Sequence, residues 1–287
     1  MDDKADRAFV ITGASSGIGR ACALRLDALG YRVIGTYLEE GEDVALLAEA
    51  SDRLTMVRMD VTDESTVRSA VEYVEAQTGE RGLSGLVNNA GIDTPGPLEF
   101  LPLDTFRHQV EVNVIGLLGV TQAFLPLIRK AQGRIVNMGS IDGKAVTPFQ
   151  GAYGASKHAV EALTDGLRME LRPWNIHVAV VEPGDIRTPI WSKSLAMADT
   201  TRAKLPVPAE ALYGPLMTAA RATAEKMAQR ASDPAIVVKA VVHALTARKP
   251  RTRYLVGNDA KIRLGMEWLP TRWVDKIIMD FIAGGAK

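Results

Sequence analysis

The chain predicts an α/β fold, a single doubly wound parallel sheet with helices on both faces and a C-terminal helical lid, on three observations. Short apolar runs alternate with longer stretches of helical periodicity across residues 8–181. A glycine-rich turn, Thr12-Gly13-Ala14-Ser15-Ser16-Gly17-Ile18-Gly19, joins the first apolar run to the first helical one. The composition is that of an ordinary globular protein: 287 residues, 47% hydrophobic, 24% charged and 6% aromatic, which excludes disordered and low-complexity classes. Alternation at this spacing means parallel βαβ units, whose helices must cover both faces of the sheet.

Each element follows from the local pattern. Residues 8–12 are a continuous apolar run ended by glycine, as expected of a strand buried on both faces. Ile18, Cys22, Leu26 and Leu29 then recur at helical spacing over 17–29, and Gly30 is a natural stop. Further strands are expected at 31–38, 54–59, 83–87, 134–138 and 175–181, with helices at about 42–50, 63–78, 103–129 and 152–172 between them. After Pro183 the rhythm breaks. Residues 190–232 are rich in Ala, Met and Lys, carry prolines at 206, 208 and 215, and read as irregular helices. Ligands of open α/β sheets sit beyond the carboxyl ends of the strands, so this insertion is placed to cover a substrate as a lid. The alternative is a surface excursion without a role. Residues 233–287 form a C-terminal extension in which Met266, Trp268, Leu269, Trp273, Ile277, Ile278 and Phe281 make an amphipathic stretch broken by Pro270. Its expected role is packing on the body or on a neighbouring subunit, with membrane-surface contact as the alternative. No repeat or linker divides the chain, so one domain over 1–287 is expected.

Several function classes drop out. Lys plus Arg (34) equal Asp plus Glu (34), so no basic field exists to hold nucleic acid. The single cysteine, Cys22, excludes an internal disulfide and a cysteine-based zinc site, and His108, His158, His177 and His243 have no metal-ligand spacing, so no metal is expected. With an acidic start running straight into an apolar strand no signal peptide is expected, and no uncharged run is taken as a spanning helix of roughly 20 residues. A soluble cytoplasmic protein is expected.

The residues that carry chemistry cluster at strand ends. Three glycines between strand and helix allow a tight turn, close approach of a pyrophosphate, and tight helix packing beside amides and a positive dipole end. The spacing is Gly-x-x-x-Gly-x-Gly, and ordinary connection chemistry is the alternative. Asp60-Val61 ends the third strand, where the aspartate could accept a hydrogen bond from an adenine amino group or simply cap a helix. Asn88-Asn89-Ala90-Gly91 follows the fourth strand and could pass an adenine ribose while tying strands together. Tyr153 and Lys157, four apart, share one helix face. A phenol titrates near 10 in water, too high for a base at neutral pH, and a neighbouring ammonium would lower it. Ser140, at the end of the fifth strand, could hold a substrate oxygen against Tyr153. A buried Asn113 would need a partner or a water.

Taken together and in this order, Thr12–Gly19, Asp60-Val61, Asn88–Gly91, Asn113, Ser140, Tyr153/Lys157 and Pro183-Gly184 resemble the short-chain dehydrogenase/reductase family over residues 8–190. The stretches 85–92, 181–189 and 244–254 are similar to its retinol dehydrogenase and 3-hydroxybutyrate dehydrogenase branch. The resemblance implies a Rossmann-type fold and a nicotinamide-dependent oxidoreductase, usually a dimer or tetramer. It implies Tyr153 as general acid/base, Lys157 on the nicotinamide ribose, Ser140 on the carbonyl, and Asn113 holding a water in a proton relay. Gly13, Ser15, Ser16, Gly17, Ile18, Gly19, Tyr37, Leu38, Asp60, Val61, Asn89, Ala90, Gly91, Tyr153, Lys157, Pro183, Gly184, Ile186 and Thr188 would line the dinucleotide. A non-catalytic dinucleotide-binding sensor is the rival from another class, and the intact tetrad argues against it.

The substrate is expected to be an apolar retinoid-, steroid- or lipid-like alcohol or carbonyl, covered by the lid and Trp191, with Ser140, Asp142, Gln150 and Tyr153 supplying polarity. A short hydroxy acid held by Arg187 or a lid lysine is the alternative. NAD is expected over NADP, because 33–40 contains no cation and ends in Glu39-Glu40, while Arg20 is the one basic residue that could reach a 2′-phosphate.

Overall fold

The computed structural model describes residues 4–285. The first half runs β1 (Ala8–Ile11), α1 (Gly17–Ala28), β2 (Arg32–Tyr37), α2 (Val44–Leu47), β3 (Leu54–Arg58), α3 (Glu64–Thr78) and β4 (Gly85–Asn88). It continues through α4 (Leu103–Val110), a π-helical turn (Glu111–Gly116), α5 (Leu117–Ala131), β5 (Arg134–Met138), α6 (Gly151–Glu170) and β6 (His177–Pro183). The strands form one parallel sheet in the order β3-β2-β1-β4-β5-β6, with a seventh strand, β7 (Arg253–Val256), beyond β6. Every strand end that carries a predicted site residue therefore points to the same edge of the sheet, and the order reverses between β1 and β4.

Successive strand residues feed opposite cores. Phe9 and Ile11 of β1 join Val87, Val136 and Val181 against Cys22 and Leu26 of α1. Ala8 and Val10 join Leu86, Ile135 and Val178 against Val67 of α3 and Phe124 and Leu127 of α5. Burial on both faces is why the strands read as unbroken apolar runs. Cys22 lies wholly inside, where burial pushes its thiol up to about 12, so it is an inert core residue. Among the described residues, Leu103–Ala131 is the one helix long and apolar enough to cross a membrane; its Val120, Phe124, Leu127 and Ile128 are buried in the second core, so it serves as a core helix.

Three elements differ from expectation. The helix expected over 42–50 shrinks to α2, because the Glu42 carboxylate draws the backbone N–H groups of Leu38 (3.2 Å) and Glu39 (3.3 Å) into turns. The lid is two regular helices, α7 (Ile190–Ala203) and α8 (Val207–Arg230), rather than irregular ones. Pro206 caps α8 and Pro208 sits in its first turn, where a missing N–H costs nothing, while Pro215 lies inside the helix and removes one of its hydrogen bonds. Strand β7 was not expected at all; α9 (Ala235–Thr246) crosses back over the first core to bring Tyr254 opposite Val181. The chain ends with α10 (Asn258–Met266) and α11 (Thr271–Gly285), separated at Pro270. Helix α11 packs along α8 and leaves Trp268 before it, and Trp273, exposed.

Candidate active site

The carboxyl ends of β1, β2, β4, β5 and β6, closed over by α7, α8 and α11, enclose a cleft of about 850 Å³. Its first half is a backbone cradle. Gly13 and Gly17 take φ of +62° and +56°, a region closed to most side chains. A Cβ on Gly13 would stand 3.0 Å from Ala90 Cα, and one on Gly19 would meet Gly13 O at 2.3 Å and Asn89 Nδ2 at 2.5 Å. Gly19 is thus a packing glycine that lets α1 press on its own turn, and it does not line the cleft as expected. The other predicted dinucleotide residues do line it.

Loop and turn are stapled together. Thr12 Oγ1 accepts the N–H groups of Asn89 and Ala90, both at 2.9 Å, while Asn89 Nδ2 donates to Thr12 O (2.9 Å) and Gly13 O (3.1 Å). Asn88 instead turns inward, donating to Thr121 Oγ1 and Asn137 Oδ1, both at 2.8 Å. Asp60 Oδ1 accepts from Thr62 N (2.9 Å) and Thr62 Oγ1 (2.8 Å), so one carboxylate oxygen caps the following turn. A stapled concavity opened by Gly13 and Gly17 beside the N-terminus of α1, whose N-cap Ser16 makes no side-chain capping bond, fits a dinucleotide pyrophosphate.

In the loop after β2, Glu42 lines the cleft, a residue that sequence reasoning missed. Its Oε2 accepts from Ser15 Oγ (3.2 Å) as well as from Leu38 and Glu39 N–H. Burial works against its ionisation, but these hydrogen bonds overcome it and hold the carboxyl below its usual range. Glu39 is exposed and away from the cleft. Arg20 is committed to Glu49 at 2.8 Å.

The second half holds the chemistry. Tyr153 and Lys157 project from α6 toward Ser140, which follows β5. Lys157 Nζ donates to Met138 O (2.8 Å) and stands 5.6 Å from the Tyr153 ring centroid. Burial pushes the Lys157 ammonium down to about 8, with Asp93 opposing. Tyr153 is enclosed. Burial, then the charges of Asp93 and Asp142, push its phenol above the ordinary value, and a hydrogen bond with Ser140 pulls only partly the other way. Without a bound dinucleotide the phenol therefore holds its proton firmly.

Buried Asn113 finds its partners within the protein. Its Nδ2 donates to Ile92 O (2.9 Å) and Ser156 Oγ (3.0 Å), and its Oδ1 accepts from Ile92 N (2.9 Å). The side-chain amide is a clamp between the β4 loop and α6, with both of its N–H donors spent on the protein. The clamp sets the loop against Lys157: a Cβ on Gly91 would lie 3.1 Å from Asn113 Oδ1 and 3.7 Å from Lys157 Nζ.

Around the reacting end, Asp142 Oδ2 accepts from Ser140 Oγ (3.3 Å) and its Oδ1 accepts from Arg263 of α10 (2.5 Å). Gln150 donates to Asp93 Oδ2 (3.3 Å), which also accepts from Ser194 of α7 (2.6 Å). Trp191 lines the cleft with its indole N–H spent on Ile186 O (2.9 Å). Arg187, the expected holder of a substrate carboxylate, lies outside the cleft and pairs with Asp233 at 3.2 Å. Asp93 and Arg263 carry no motif; only their position in the fold reveals them.

Comparison with known proteins agrees with this geometry. Residues 7–199 match the short chain dehydrogenase family model. Retinol dehydrogenase 16 of Mus musculus is 40% identical over 279 residues, covering 95% of this chain and 88% of that protein. The 17-beta-hydroxysteroid dehydrogenase type 6 of Homo sapiens is 39% identical over the same shares. Among solved structures, a short-chain dehydrogenase from Streptomyces avermitilis superposes with a TM-score of 0.77 at 29% identity, covering 100% of both chains.

Proposed function

Since the chain belongs to the short-chain dehydrogenase family, we propose that it interconverts an apolar, retinoid-, steroid- or lipid-like alcohol and its carbonyl compound. The observation that carries this reading is the juxtaposition, in one cleft, of a glycine cradle with Ser140, Tyr153 and Lys157. A nicotinamide dinucleotide, when bound, supplies the hydride acceptor or donor and, in its oxidised form, a positive ring charge. The cradle Gly13–Ile18, Asp60-Val61 and Asn89–Gly91 would hold its adenosine and pyrophosphate part, and Lys157 with Pro183–Thr188 its other end. Ser140, turning its hydroxyl from Asp142 Oδ2, donates a hydrogen bond to the substrate oxygen and fixes it beside Tyr153. Tyr153 gives its phenolic proton to that oxygen in reduction and takes it back in oxidation. Lys157, freed from Met138 O, places an ammonium near the phenol, and this favours phenolate in the oxidation direction.

The substrate class rests on the apolar lining of the cleft. Leu205, Met217, Met227, Ile262, Met266 and Phe281 give a large apolar surface, as medium-sized lipid alcohols require. The names of the retinol and hydroxysteroid relatives point the same way. A short hydroxy acid would bring its carboxylate beside Asp93 and Asp142, while Arg263 is already paired to Asp142 and the lid lysine that lines the cleft, Lys193, acts on Glu42. NAD is the proposed cofactor. An ionised Glu42 in the loop after β2 would accept from a ribose 2′-hydroxyl and repel a 2′-phosphate; Lys193, the cation closest to it in effect, lies on the lid and is offset by Glu42 itself. Cytoplasmic residence and a homo-oligomer remain part of this proposal, the latter read by light scattering.

A screen of retinol, hydroxysteroids, long-chain alcohols and 3-hydroxybutyrate, each with NAD and NADP and followed at the nicotinamide absorbance, tests the reading. Turnover of lipid alcohols with NAD is expected. Strong activity on 3-hydroxybutyrate alone would overturn the substrate class, and a clear NADP preference would overturn the cofactor.

A further inference from the structure

We propose that Asp93 and Gln150 form a hydrogen-bond-accepting station in the substrate half of the cleft, and that the preferred substrate carries a second hydroxyl that donates to it. The inference rests on the dehydrogenase reading above and adds a chemical requirement to it. Asp93 follows the β4 loop, and Gln150 caps α6 three residues before Tyr153. Asp93 Oδ2 is saturated by Gln150 Nε2 (3.3 Å) and Ser194 Oγ (2.6 Å). Asp93 Oδ1 and Gln150 Oε1 are buried and hold no hydrogen bond. Among the described residues only Asn88 Oδ1 and Glu161 Oε1 share that condition, and those residues are sealed inside the protein rather than set on the cleft.

With Asp93 ionised, two bare acceptors cannot satisfy one another, and a buried acceptor left unpaired is costly. A ligand group entering there must bring a donor. The reacting oxygen is already assigned to Ser140 and Tyr153, so the donor is a different group on the same molecule. Asp93 is close enough to the reacting end for its charge to be felt at both Tyr153 and Lys157, which limits the separation between the two groups. With apolar side chains over most of the remaining wall, the station also rejects a carboxylate by repulsion, so it selects by donor and charge together.

The test uses secondary decanols carrying, at increasing distances from the reacting carbon, either a second hydroxyl or the methoxy group that cannot donate. Both kcat/KM with NAD and calorimetric affinity for the NADH-loaded full chain are measured. At one spacing the hydroxyl compound should be preferred about tenfold, equivalent to about 1.4 kcal/mol. Asp93→Ala should erase this preference, and Gln150→Leu should reduce it. Ser194→Ala, which removes only the lid contact, should keep it. No preference at any spacing in the wild type, retention in Asp93→Ala, or equal loss in Ser194→Ala would overturn the station. A calorimetric preference without turnover would uphold the station and refute the dehydrogenase reading.

Discussion

Replacing Asp93 by asparagine is expected to stabilise the free protein, and to do so only where the carboxyl would ionise. Burial, with the nearby Asp142 adding, raises the Asp93 carboxyl from 3.8 to about 6, and the Ser194 and Gln150 hydrogen bonds offset only part of this. That shift of roughly 2 units is worth roughly 3 kcal/mol at about 1.36 kcal/mol per unit. The folded protein binds this proton more tightly than the unfolded chain. The corresponding stability is therefore fully present below pH 3.8 and is lost as pH rises through about 6. Asp93→Asn has no proton to lose and escapes that decline. Between about pH 5 and pH 8 the gap between variant and wild type should widen by roughly 1.4 kcal/mol, or roughly 3 °C in Tm for a chain of this size. Comparing two pH values cancels whatever the amide itself gains or loses against Ser194. Thermal melts of both proteins at the two pH values provide the assay. A gap that stays constant, or narrows with rising pH, would refute the assignment of Asp93 as a buried, under-compensated carboxylate.

Three further outcomes follow from the same geometry. Gly19→Ala drives a Cβ into Gly13 O and Asn89 Nδ2, so a loss of about 1–3 kcal/mol in urea unfolding and a clear weakening of NADH binding are expected; normal melting and binding would exclude the packing role. Lys157→Met should weaken NADH binding and turnover while stabilising the free protein most below about pH 8, because the depressed ammonium penalises the fold there and the penalty fades as pH rises toward 10.5; unfolding midpoints against pH decide this. Glu42→Gln should cut the kcat/KM preference for NAD over NADP by roughly tenfold, about 1.4 kcal/mol, and an unchanged ratio would remove Glu42 from cofactor choice.

Much of this architecture was legible because β1, β4, β5 and β6 are buried on both faces and so announce themselves as apolar runs. The glycine turn, Tyr153/Lys157 and Ser140 were legible because local spacing alone sets them at strand ends and on one helix face. What escaped was long-range. Strand β7 is only Arg-Tyr-Leu-Val and exists through its pairing with β6, some seventy residues away in sequence. Glu42 enters the cleft because its carboxylate folds back on the N–H groups of its own loop and on Ser15. The amide of Asn113 is claimed by Ile92 and Ser156, partners that no periodicity places beside it. Arg263 meets Asp142 across 121 positions. The raised phenol of Tyr153 is a property of its enclosure and of Asp93 and Asp142, so the Tyr-x-x-x-Lys spacing could not disclose it.

The central claim is that Tyr153 handles the proton in an alcohol–carbonyl interconversion, and Tyr153→Phe tests it most directly. With retinol or a hydroxysteroid and NAD, turnover should fall on the order of 10²–10⁴-fold, while the Kd for NADH, measured by fluorescence, stays at the wild-type value. A variant that kept near-normal kcat would contradict the account.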